Sequence, residues 1–137
     1  MKQLVKDEGN VVLEFIGIAL FFIVPLIYIA IQCSIAANQF LAVTNSANAA
    51  VRTFVVQSSE NRSFSSAKQA FVATLEAQHL NSRAFKMRIT CSAHPCLRHS
   101  NFVSVKVAGE LKIRVPLITH LSIPIQASQT LQVGGIQ

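Results

Sequence analysis

Side chains able to do chemistry fall in two places in this chain. The denser is Cys91-Ser92-Ala93-His94-Pro95-Cys96-Leu97-Arg98-His99, which holds two of the three cysteines and two of the four histidines. Cys91 and Cys96 could close a small disulfide loop if their Cα atoms come within the usual separation. Alternatively, Cys91, His94, Cys96 and His99 are all zinc-ligand types, although their spacing departs from the common zinc patterns. The second place is Glu14, after which no residue carries a formal charge until Arg52. No Gly-rich phosphate loop or nucleophile elbow is present, and Glu60, Glu76 and Glu110 share no local motif. The reading is therefore non-enzymatic and without a cofactor.

Glu14 opens the stretch EFIGIALFFIVPLIYIAIQCSIAA, residues 14–37, in which Phe15 to Ile31 holds nothing more polar than Gly17, Pro25 and Tyr28. A run of roughly 20 such residues, rising about 1.5 Å per residue, crosses a hydrocarbon core as a helix that satisfies its own backbone. We read a span over about residues 13–36. A chain of 137 residues has too little other apolar surface to bury such a helix on all sides. A carboxylate at the edge of a bilayer either hydrates itself at headgroup level or serves a function.

The junction Gly9-Asn10-Val11-Val12-Leu13-Glu14-Phe15 places a glycine five residues before a glutamate that opens a long apolar helix, and so resembles the cleavage junction of type IV pilin-like precursors. The stretch DEGNVVLEFIGIALFFIVPLIYI, the small and polar AANQFLAVTNSANAAVRTF, and CSAHPCLRHSNFVSVKVAGELKIRVPL are together similar to the TadE-like proteins of the tight adherence pilus system, in their actinobacterial form. Only the junction motif is specific, and Pro25 lies farther from Glu14 than in many such proteins. The resemblance implies a membrane-inserted minor pilin or pseudopilin, cut between Gly9 and Asn10 by a prepilin peptidase. Glu14 would then pair with the new amine of a neighbouring subunit. Implied partners are other pilin-like subunits, the pilus assembly machinery, the peptidase and the lipid bilayer.

Charge bounds the topology. Residues 1–9 form a polar leader carrying Lys2 and Lys6, whereas the first cation beyond the span is Arg52, which keeps the N-terminus in the cytoplasm and the C-terminal domain extracellular. That placement makes the disulfide the preferred reading of Cys91 and Cys96 over zinc, since the loop lies outside the reducing cytoplasm. The rival is a secretory signal with a small-residue site at Ser34-Ile35-Ala36, but its apolar core would be unusually long and open with an acid. A lipoprotein signal fails because Gln32 precedes Cys33, and Cys33 reads as a small buried hydrophobe. Beyond the span, ten Lys and Arg stand against three Glu. No nucleic-acid-binding motif accompanies them, so no nucleic-acid partner is expected. A basic sheet face on a permanently anchored binding or adhesin-like module is the alternative to the pilin reading.

The rest of the chain predicts an α+β, pilin-like head over residues 58–137, fed by one long helix over 10–57. Beyond the span, Ala37, Leu41, Thr44, Ala47, Val51 and Phe54 recur at helical spacing as the stripe that the head should cover. Residues 57–63 read as a loop, within which Asn61-Arg62-Ser63 matches a glycosylation acceptor by coincidence. Ser66-Ala67-Lys68-Gln69 reads as the capping box of a second helix that stops near Asn81, with His79 favourable to its dipole. Three antiparallel strands follow from period-two alternation: Phe85, Met87, Ile89, Cys91; Val103 to Val115, bulged at Gly109 and ended by Pro116; and Ile123 to Val133, an edge strand because of Pro124. Lys86, Arg88, Lys106, Lys112 and Arg114 share the outer face.

Overall fold

In a computed structural model of the chain, residues 4–115 and 118–134 are described, with side-chain surroundings for 11–112 and 121–134. The expected α+β architecture is present: a long N-terminal apolar helix α1 (Leu4–Val56), a second helix α2 (Glu60–Ala77), and an antiparallel sheet of β1 (Phe85–Cys91), β2 (Phe102–Val115) and β3 (Ile118–Gln132) in the order β1-β2-β3. The chain divides into two compact units, Met1–Ile35 and Ala36–Gln137.

In the first unit, α1 passes through Pro25, which supplies no N–H to the Phe21 carbonyl. From Val11 to Ile31 its large apolar side chains are all exposed apart from the half-buried Tyr28, with Leu13 at 70% and Phe21 at 76%. Among the described residues this helix is long and apolar enough to cross a membrane. Cys33, expected to be buried, is exposed as well.

The second unit has two layers. The buried face of α1 is Ala42, Val43, Ser46, Ala47, Ala50, Val51 and Phe54. Expectation and structure agree from Ala47 onward, but Ala37 and Leu41 are exposed and Thr44 only half-buried. The helix is apolar on more than one side here, so helical spacing alone does not say which side the sheet takes. The covered side is the one rich in Ala and Ser. Ser46 costs nothing there because its hydroxyl donates to the Val43 carbonyl at 2.7 Å. Ala67, Phe71 and Leu75 of α2, Phe85 of β1, Val103, Val105, Val107 and Leu111 of β2, Ala127 of β3, and Cys96 and Val133 outside the strands are buried with that face of α1 in one core.

Helix α2 starts six residues before the expected capping box, so the loop shrinks to residues 57–59 and Ser66-Ala67-Lys68-Gln69 lies inside the helix. Tertiary contacts hold the extra turns. Phe64 packs edge-to-face on Phe54 with ring centroids 5.1 Å apart, and the buried Ser63 hydroxyl donates back to Ser59. The Asn61-Arg62-Ser63 match therefore sits in a helix with its serine buried. At the other end α2 stops at Ala77, before Asn81. The Leu80 N–H donates to the Leu75 carbonyl and the His79 N–H to that of Glu76, a Schellman closure with His79 in the left-handed region at φ 57°. Asn81 instead caps the 3-10 turn Ser82–Ala84 by accepting from the Arg83 N–H.

The sheet follows the alternation closely. β1 pairs from Phe85 opposite Gly109 to Cys91 opposite Val103, and β2 pairs with β3 from Phe102 opposite Gln132 to Val115 opposite Ile118. β3 is an edge strand, which leaves Pro124 free of any need to donate to a further strand. Gly109, expected to mark a bulge, is in register with Phe85 and Ile125; the irregular step lies between Ile113 and Val115. The glycine serves close approach instead, since a Cβ there would run into the Phe85 ring and the Ala84 carbonyl. Pro116, expected to end β2, lies outside the described residues, and Val115 is the strand's last residue.

Two substitutions test these local accounts. Gly109→Ala should destabilise the chain by about 1–3 kcal/mol because the Phe85 ring must move. His79→Gly should stabilise it by about 1 kcal/mol, the cost of a left-handed non-glycine residue. Urea unfolding of the detergent-solubilised chain measures both, and a neutral Gly109→Ala would mean that the ring is not confined.

Candidate functional site

The structure describes the two predicted places separately. Gly9 and Asn10 lie inside α1, so residues 4–9 continue directly into the rest of the helix. Glu14 is exposed, one helical turn beyond Asn10 at the opening of the uncharged run.

In the head, the loop of residues 92–101 leaves β1 and returns as β2. Cys91 and Cys96 are joined by a disulfide, with Cα atoms 5.4 Å apart. The loop has no ladder to satisfy its backbone, so side chains and distant carbonyls do so. Phe102 N–H donates to Ser92 Oγ at 3.0 Å while Ser92 N–H donates to the Phe102 carbonyl at 2.9 Å, closing the neck of the loop. The Asn101 amide donates to the carbonyls of Ala93 and Pro95 at 3.1 and 2.9 Å. Beyond the end of β3, Val133 exchanges hydrogen bonds with the Asn101 carbonyl and the Ser100 N–H.

One anchor crosses from α2. Glu60, its first residue, turns a carboxylate oxygen to accept the Cys96 backbone N–H, while Cys96 itself is 2% exposed within the core. A carboxylate at that position also faces the positive end of the helix dipole. This interaction was not legible in the sequence, where Glu60 read as a loop acid. The available signal was the order Ser59-Glu60, an N-cap type followed by an acid, which marks a helix start.

The zinc alternative is not assembled. The two cysteine sulfurs are bonded to each other, so neither offers a thiolate. His94 Nδ1 lies 3.8 Å from Cys96 Sγ and, with Glu60, makes a close group, but His99 is not part of it. The His99 ring stands over Gly134, whose φ of 77° and missing Cβ accommodate it. The arrangement fastens β1, through the disulfide, and α2, through Glu60, to one buried residue, Cys96.

Comparison of the chain with protein families, with curated proteins and with solved structures finds no match.

The short disulfide loop should contribute about 2 kcal/mol through the entropy of the unfolded chain. Protein exported by its own host should take up thiol reagent at Cys91 and Cys96 only after reduction and unfolding. Labelling of both without reductant would refute the disulfide. Glu60→Gln, which keeps an acceptor oxygen, should cost less stability than Glu60→Ala, which leaves the Cys96 N–H unpaired at a cost of about 1–3 kcal/mol.

Proposed function

We propose that the chain is a minor pilin or pseudopilin of TadE-like type, inserted in the membrane by α1 and taking part in assembly of a tight adherence pilus. The observation that carries this reading is Glu14, an exposed carboxylate five residues after Gly9 at the start of the uncharged run of α1, whose large apolar side chains are uncovered from Val11 to Ile31 apart from the half-buried Tyr28. Uncovered apolar surface costs about 25 cal/mol per Å² in water, and a bilayer removes that cost. The Lys2 and Lys6 side would remain cytoplasmic and the disulfide-bonded head would stand outside, where cysteines oxidise.

In this reading a prepilin peptidase cuts after Gly9 and frees the Asn10 amine. The Glu14 carboxylate of one subunit then meets the amine of its neighbour. Opposite charges about 4 Å apart in a partly solvated setting attract by about 4 kcal/mol, from which desolvation of both groups subtracts much. The pair would act more as a register mark between helices than as glue. The partners are other pilin-like subunits, the assembly machinery and the bilayer.

Intact-mass analysis of protein purified from its own host tests the cut: a chain beginning at Asn10 is expected, and one still beginning at Met1 would return the head to the role of a permanently anchored module. Replacing the host copy with Glu14→Leu should leave cleavage and insertion in place and abolish or sharply reduce piliation. Glu14→Gln should also impair assembly. Normal pili with Glu14→Leu would remove the pairing from the mechanism.

A further inference from the structure

The outer face of the sheet carries charges that the fold does not use. Arg88 of β1 sits directly opposite Lys106 of β2, and both are exposed. Cβ atoms of directly opposite residues are about 5 Å apart, and like charges so placed destabilise a sheet. Lys86, two residues along β1, is on the same face and exposed, opposite the small Ala108. Among the described residues no carboxylate makes an ion pair with any of the three. Glu110, on the same face, is opposite Pro124 rather than a cation.

The short Ala108 side chain leaves a depression of about 600 Å³ between these cations and the exposed Gln126 and Ser128 of β3. Its rim therefore offers three cationic groups, an amide and a hydroxyl around a floor too small to fill it. An oxyanion entering there would relieve the repulsion between Arg88 and Lys106 and meet donors on all three strands. A bound oxyanion would offset that cost.

The surroundings decide what carries the oxyanion. Thr90, Ser104, Ser128 and Thr130 give the face a field of hydroxyls, with Ser104 Oγ and Ser128 Oγ 3.4 Å apart. Among the described residues, the exposed large apolar side chains of this face, Phe102 and Pro124, do not line the depression. A bilayer surface calls for apolar side chains to insert, and a single-stranded nucleic acid for aromatic platforms beside the cations. A polyhydroxylated chain bearing regular acidic groups matches both the cations and the hydroxyl and amide groups.

We propose that the outer face of the sheet is a binding site for an anionic polysaccharide, with Lys86, Arg88 and Lys106 holding a carboxylate or phosphate group over Ala108. The site uses only the head and does not depend on the pilin reading. Full-length chain in nanodiscs of zwitterionic lipid should bind alginate oligosaccharides and not neutral dextran, and the affinity should fall as salt rises. The double variant Arg88→Gln/Lys106→Gln should bind alginate roughly tenfold or more weakly, since charge-assisted contacts are the strong ones. Its thermal midpoint should stay level or rise, because a like-charge pair has been removed. Arg62→Gln/Lys68→Gln, an equal change of charge at exposed positions of α2, should keep most of the affinity. Equal losses in the two double variants would reduce the effect to net charge and overturn the site. So would no binding of alginate, or tighter binding to phosphatidylglycerol vesicles or to single-stranded oligothymidine than to alginate.

Discussion

The head depends on helix α1 to close its core. Val43, Ala47, Ala50, Val51 and Phe54 are buried with residues of α2 and of all three strands. Residues beyond Val56 number about eighty, a size at which a single core is marginal and every buried face counts. The helix face that enters the core is made mostly of Ala, Ser and Val, with Phe54 as the one large aromatic side chain at its end. The same helix, continuous from Leu4, carries the uncovered apolar run, so one element has two solvents to satisfy along its length.

The disulfide loop closes what the helices leave open. Cys96 is a core residue without belonging to any helix or strand, and a buried backbone N–H outside regular structure needs a specific partner. Glu60 supplies it from the start of α2, which explains both the early start of that helix and the loop's position. Asn101, Ser92 and Val133 then satisfy the remaining turns. The loop acts as a fastening among α2, β1 and the end of β3, and the covalent link between Cys91 and Cys96 keeps its ends from separating.

Around that closed core the remaining surfaces differ in kind. The apolar face of the sheet is buried at Val103, Val105, Val107, Leu111 and Ala127 while Leu121 and Ile123 stay exposed, the opposite face is polar and basic, and α1 exposes large apolar side chains from Val11 to Ile31. Period-two alternation assigns the two sheet faces independently, while Phe15 to Ile31 of α1 holds nothing more polar than Gly17, Pro25 and Tyr28 and so has no charged face to offer.

The sequence by itself determined the elements whose signal is local and periodic. The apolar helix, the three strands, their buried faces at Val103, Val105 and Val107 and the edge position implied by Pro124 were legible, because alternation and charge depletion are properties of neighbouring residues, whereas the spacing of Cys91 and Cys96 left a disulfide and a zinc site both open. Tertiary structure decided the rest. Which stripe of α1 is covered, why Gly109 is glycine, where α2 begins, and what Glu60 and His99 touch all depend on partners that are distant in sequence. Glu60 and Cys96 are separated by 36 positions, and neither carries a local mark of the other. The relation of Arg88 to Lys106 belongs to both kinds: alternation put them on one face, but only strand register set them opposite each other.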